Sequence, residues 1–129
     1  MDTNLFSIRN MTRSRTPVLP YYDITKHVLG TKYELSLAFI GRDRSQAINK
    51  KLRNKNKPAD VLSIPLSNTN GEIIICLERA KTQANKFDHS YTQHVGFLFI
   101  HGLLHLKGLD HGSTMEREER RIMSAFDLY

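Results

Sequence analysis

The run His101-Gly-Leu-Leu-His105-Leu-Lys-Gly108-Leu-Asp110-His111 constrains this chain more than any other stretch. Two histidines four residues apart leave a helix on nearly the same face, about 40° from exact alignment at 3.6 residues per turn. Gly108 supplies a residue that takes positive φ at a helix C-terminus, so the chain can turn back and carry His111 towards the first pair. Three neutral imidazoles converging on one point suit a zinc ion that keeps an open coordination site. Ahead of the motif, Val95 to Leu106 is apolar nearly all round and predicts a helix buried inside the domain. These twelve residues, with two histidines among them, are too few and too polar to span a membrane. Buried imidazoles need polar partners, and a metal satisfies both. His94 falls on roughly the same stripe but about 10 Å away along the axis, beyond ligand reach. It is expected to be hydrogen-bonded or exposed. Asp110 is either a second-layer acceptor that fixes an imidazole tautomer or a simple turn residue.

The general zinc-peptidase pattern His-Glu-x-x-His places a glutamate beside the first histidine as general base. Its longer metzincin form adds a glycine seven residues and a third histidine ten residues after the first. His101, His105, Gly108 and His111 keep that spacing, but the glutamate position is Gly102. The site is therefore metzincin-like in spacing and lacks the peptidase base. A glycine there also leaves space for a strand or a substrate to come close.

The rest of the chain reads as short alternating elements. Residues 4–9 predict a first strand, followed by a loop holding Arg9, Arg13 and Arg15 as solvated or phosphate-contacting groups. A helix is expected from Pro20 to Leu29, stopping at Gly30. Tyr33 to Ile40 alternates as a strand does. After Gly41 a helix capped by Asp43 is expected to carry Ala47, Ile48 and Leu52 inward, with Pro58 as its limit. Asp60 to Leu66 and Glu72 to Leu77 predict a hairpin turning at Asn70-Gly71, with Pro65 tolerated near a strand end. Cys76 is expected to be a buried small hydrophobe. Leu77, Ala80, Ala84 and Phe87 then repeat at helical spacing. Ser113-x-x-Glu116 predicts a capping box opening a last helix that packs Met115, Ile122 and Phe126. The run Glu-Arg-Glu-Glu-Arg-Arg in that helix is expected on its exposed face. The order implies one α+β domain over residues 1–129: a small mixed four-stranded sheet packed with about five helices.

Charge narrows the partner. Lys and Arg number 19 against 13 Asp and Glu, a formal net charge of +6, which favours a polyanion. From Arg42 to Lys57 there are seven basic residues and one acidic residue, a local excess equal to that of the whole chain. Single-stranded RNA held through its phosphates is the expected substrate class. Few aromatic residues neighbour this stretch, so little reading by base stacking is expected. A lone cysteine permits no internal disulfide, and neither a secretory h-region nor a long apolar run is evident, which fits a reducing cytoplasm and no membrane association.

The string HGLLHLKGLDH, preceded by NKKLRNKNKPADVLSIP and GEIIIC, resembles the YbeY family of bacterial single-strand endoribonucleases over about residues 45 to 112. The resemblance implies the same α+β fold, with the Glu72–Leu77 strand beside the metal helix. It implies cytoplasmic action on precursor ribosomal RNA, including 16S rRNA 3′-end maturation, and a part in ribosome quality control. A small-subunit ribosomal protein and an assembly GTPase are the implied protein partners. It also places the family's functional arginine at Arg53, and an arginine can grip a phosphate with two parallel hydrogen bonds. Ala59, Ile64, Glu72 and Leu109 depart from a usual threonine, phenylalanine, aspartate and tyrosine.

The expected site is thus one Zn2+ on His101, His105 and His111, with Arg53 and His105 as the catalytic pair. Ser63 and Glu72 are weaker candidates for lining the groove, and no residue stands out as general base. Two other readings stay open at this level. One is a zinc peptidase, against which Gly102 argues. The other is a non-catalytic, zinc-stabilised RNA- or ribosome-binding factor, with Cys76 or His89 as a conceivable fourth ligand.

Overall fold

The computed structural model describes residues 5–129. They form β1 (Phe6–Asn10), α1 (Tyr21–Leu29), β2 (Glu34–Ile40), α2 (Arg42–Arg53), β3 (Val61–Ser67), β4 (Asn70–Cys76), α3 (Leu77–Gln83), a 3-10 turn (Ala84–Phe87), α4 (Tyr91–Lys107) and α5 (Ser113–Ala125). The element order is the expected one, in an α+β fold. Asn4, where the first strand was expected to begin, lies outside the described residues.

The four strands make one mixed sheet in the order β1-β2-β4-β3, with β1, β2 and β4 parallel and β3 antiparallel at the edge. Parallel neighbours need crossovers, and α1 supplies the first, while α2 and β3 together span the second. By the period of two, Leu35, Leu37 and Phe39 of β2 share a face with Ile73 and Ile75 of β4. That face packs on Phe99 and Leu103 of α4, Ile24 of α1 and Met115 of α5 to make the main core. On the other face Ile40, Leu62 and Ile74 form a smaller cluster against Ile48 of α2. α4 thus lies buried between the sheet and α5, which is why its sequence is apolar nearly all round. No helix among the described residues is long and apolar enough to cross a membrane.

Several local expectations give way to polar bookkeeping of the backbone. The inward residues of α2 are Ser45 and Asn49 with Ile48, while Ala47 and Leu52 are exposed. The loop after α2 explains this. Ser45 Oγ donates to the Ala59 carbonyl at 2.7 Å and accepts from Ala59 N at 2.9 Å, and Asn49 Nδ2 donates to the Lys57 carbonyl at 2.8 Å. These bonds satisfy a loop that an apolar helix face would leave unpaired. α2 ends at Arg53, well before Pro58, because Asn54 adopts the left-handed conformation at φ 56°. Asp43 lies inside the first turn and makes no cap bond; Gly41 holds the N-cap position.

The hairpin turns at Asn68-Thr69, and Asn70-Gly71 belongs to β4. Gly71 serves close approach instead: a Cβ there would sit 2.5 Å from the Tyr33 hydroxyl. α5 has no side-chain cap, since Gly112 at φ 151° leads straight into Ser113 as the first helical residue. The capping box belongs to α4, where Ser90 Oγ accepts from Gln93 N at 3.1 Å and Gln93 Oε1 accepts from Ser90 N at 2.8 Å.

Candidate metal centre

Gly108 ends α4 in the left-handed region at φ 107°. Its N–H reaches the His105 carbonyl and Leu109 N reaches the Leu104 carbonyl, each at 3.0 Å, so the chain reverses within a Schellman motif. His111 is thereby folded back over the last turns of α4. Ligand nitrogens of His101, His105 and His111 all lie within 4.8 Å of one another, and no other His, Cys, Asp or Glu side chain among the described residues joins the group.

The hydrogen bonds assign the tautomers. His105 Nδ1 lies 3.1 Å from the Leu109 carbonyl, which only accepts, so Nδ1 carries the proton. His101 Nδ1 lies 2.5 Å from Glu119 Oε2, and a carboxylate likewise accepts. Both Nε2 atoms therefore present lone pairs, and they face each other at 3.2 Å. Two bare lone pairs at that distance repel; a cation between them reverses the sign. Nitrogens bound to one tetrahedral zinc at 2.0–2.1 Å stand about 3.3 Å apart, so His101 and His105 already stand at ligand separation, with His111 close enough to complete the set. Burial, then the neighbouring His101 and His111 rings, hold His105 below the ordinary imidazole pKa. Near neutrality it stays in the neutral, ligating form.

Glu119 is the residue that sequence reasoning placed wrongly. The charged run of α5 is not all solvated: Glu119 is buried on the stripe that also carries Met115, Ile122 and Met123. Its spacing from Met115 and Ile122 was the available signal. Asp110 makes no such bond; it is exposed and acts on His105 only through its charge, while the Leu109 carbonyl supplies the acceptor. Position 102 points at the sheet. A Cβ on Gly102 would meet Ser63 Oγ at 3.0 Å and Ile73 Cδ1 at 3.2 Å. The space that a peptidase glutamate would need is occupied by β3 and β4.

Ser63 lines the groove and donates to the Gly102 carbonyl at 2.9 Å, tying β3 to the metal helix. Glu72 does not share it: it alternates with Gly71 and Ile73, lies on the far face of the sheet, and lines a different, small depression. Cys76 is buried in β4, and that burial pushes its thiol up, away from the ligating thiolate. His89 is engaged with His94 through Nδ1 atoms 3.0 Å apart.

The three histidines open onto a groove of about 1230 Å³. Arg53, at the exposed end of α2, lines the same groove, as do Lys55 and Lys57 from the loop that Asn49 pins. Aromatic side chains reach it from a part of the chain remote in sequence. Phe87, which falls at helical spacing with buried Leu77, Ala80 and Ala84, is half exposed there, and His89 and Phe97 line it too. The scarcity of aromatics near the basic stretch in sequence therefore does not hold in space. His94 lies beneath them, fully buried, with its pKa lowered to about 4 by burial and by His89.

Known proteins resemble this chain in sequence and in fold. The family model described as Endoribonuclease YbeY matches residues 8–127. The Endoribonuclease YbeY of Alkaliphilus oremlandii is 35% identical over 111 residues, covering 74% of this chain and 74% of that protein. That of Carboxydothermus hydrogenoformans is 42% identical over 94 residues, covering 69% of this chain and 64% of that protein. The solution structure of a Thermotoga maritima protein, 19% identical, superposes with a TM-score of 0.66 over 95% of this chain and 91% of its own, which shows the fold. With the fold, the histidine cluster and these matches in agreement, the chain belongs to the YbeY family of endoribonucleases, enzymes that cleave RNA.

Proposed function

We propose that this protein is a zinc-dependent, single-strand-specific endoribonuclease that works as one domain over residues 1–129. Its substrate is precursor ribosomal RNA, cut in the cytoplasm during 16S rRNA 3′-end maturation and ribosome quality control. A small-subunit ribosomal protein and an assembly GTPase are the partners that bring it to its target. The observation that carries the chemistry is the convergence of imidazole lone pairs in a groove that Arg53 also lines. When bound, a zinc ion with three protein ligands keeps one position open and supplies Lewis acidity there.

The chain's own residues do the remaining work. His101, His105 and His111 hold the ion, Glu119 and the Leu109 carbonyl keep two of the rings turned Nε2-inward, and neutral His105 offers its lone pair at working pH. Arg53 grips the scissile phosphate through paired N–H donors and offsets the charge that grows on its oxygens in the transition state. Lys55 and Lys57 hold flanking phosphates without reading sequence.

The test is cleavage of a labelled single-stranded RNA by wild type, His105→Ala and Arg53→Ala, purified in parallel, each with and without a chelator. Wild type should cut and lose the activity to the chelator. Both variants should remain folded and fall about 100-fold or more in rate. Equal cutting by all three preparations assigns the activity to a contaminant and leaves a metal-stabilised RNA-binding factor as the better reading.

A further inference from the structure

Phe87 closes the 3-10 turn after α3, and Asp88 then reverses the chain with φ 57° to bring His89 alongside it. The rings of Phe87 and His89 stack, with centroids 5.7 Å apart and planes 21° from parallel. Beneath them Phe87 packs on buried His94 at 4.9 Å and on Phe97 at 5.3 Å. Phe97 in turn sits 6.1 Å from the ring of His101, so an aromatic path runs from the metal ligand to the groove surface. At its outer end Phe87 remains 50% exposed, lining the groove that also holds Arg53 and Lys57.

An aromatic ring held rigidly from behind and left bare in a basic groove is a stacking surface beside a phosphate track. Leaving it in water has a hydrophobic cost that a flat, apolar ligand face removes. Every nucleobase has such a face, and a free base stacks on it whatever its identity. Resting on the endoribonuclease reading above, we propose that Phe87, braced by His89 and Phe97, is a nucleobase-stacking subsite for the nucleotide adjoining the one whose phosphate faces the histidines. Two centroid steps through Phe97, 5.3 and 6.1 Å, link its ring to that of His101, so both stand on the same part of the groove. The subsite also gives single-strand selectivity a physical origin. A base must leave its own helix to stack on Phe87, which a loop or an end permits and a duplex resists. The subsite selects for an accessible base and is indifferent to which base it is.

The experiment uses the full chain and a short single-stranded RNA bearing one 2-aminopurine, whose fluorescence falls when it stacks. Binding is read by anisotropy in the presence of a chelator, so that no cutting occurs, for wild type, Phe87→Ala, Phe87→Leu and Phe87→Trp. The expected result is quenching and tight binding by wild type, about tenfold weaker binding with loss of quenching in Phe87→Ala and Phe87→Leu, and recovery of both in Phe87→Trp. Thermal unfolding of each variant separates loss of stacking from loss of the fold, and Phe87→Leu keeps apolar cover over His94. If folded Phe87→Leu binds and quenches as wild type does, Phe87 is only that cover and the proposal is overturned. If wild type binds no single-stranded RNA at all, the endoribonuclease reading itself fails and takes the subsite with it.

Discussion

Glu119 shows how a single carboxylate can set the geometry of a site it does not enter. Its bond to His101 Nδ1 fixes both the tautomer and the rotation of a ring whose other nitrogen faces His105. Glu119→Gln keeps an acceptor but removes the charge, and zinc affinity should fall about tenfold; Glu119→Ala should cost up to about 100-fold. Competition against a chromogenic chelator measures both. Zinc affinities equal to wild type in the two variants would remove Glu119 from this role. Glu119 was hidden in the sequence by its neighbours, because a run of six charged residues reads as solvent-facing unless the apolar stripe through Met115 and Ile122 is extended across it.

At the scale of elements, the distance between α4 and the β3–β4 hairpin is set by what position 102 lacks. Ser63 Oγ and Ile73 already fill the volume a Cβ would take, and Ser63 is bonded to the backbone at that point. Gly102→Glu recreates the peptidase string in sequence, yet it pushes a carboxylate into a packed interface. We expect a loss of about 3 kcal/mol or more in urea unfolding and no digestion of a denatured protein substrate. A stable, proteolytic Gly102→Glu protein would overturn the packing argument. The histidine spacing and the strand alternation were legible because both are periodic signals that one element carries alone. What escaped was whatever depended on a second element. Ser45 and Asn49 face inward to serve the loop at Lys57 and Ala59, and Asn70-Gly71 lies in a strand through its pairing with both β2 and β3, where Tyr33 comes close to Gly71. Such demands are tertiary, and no local pattern records them.

For the molecule as a whole, the fold's response to acid follows from burying an imidazole. His94 is fully buried and titrates at about 4, against about 6.5 in an unfolded chain. Between those values the unfolded state takes up a proton that the native state refuses, so stability is complete above pH 6.5 and drains away as pH falls towards 4. The loss amounts to about 3 kcal/mol by pH 4. Urea unfolding midpoints at pH 7 and pH 5 should show it, with a smaller difference in His94→Phe; equal pH dependence in both proteins would exclude His94 as the source. The groove is likewise a property of the whole, since its basic wall comes from α2 and its aromatic floor from the turn before α4, some thirty residues later.

β3 is the outermost strand of the sheet beside that groove. The bond from Cys76 N to the Asp60 carbonyl sets the ladder, so Val61, Ser63 and Pro65 direct their main-chain groups outward, away from β4. A bare strand edge is where sheets of separate molecules join and aggregates begin. Here the outward row loses a donor at Pro65 and then breaks register between Pro65 and Ser67. The protein can therefore keep a strand open to a polymeric ligand without offering another protein chain a template to extend.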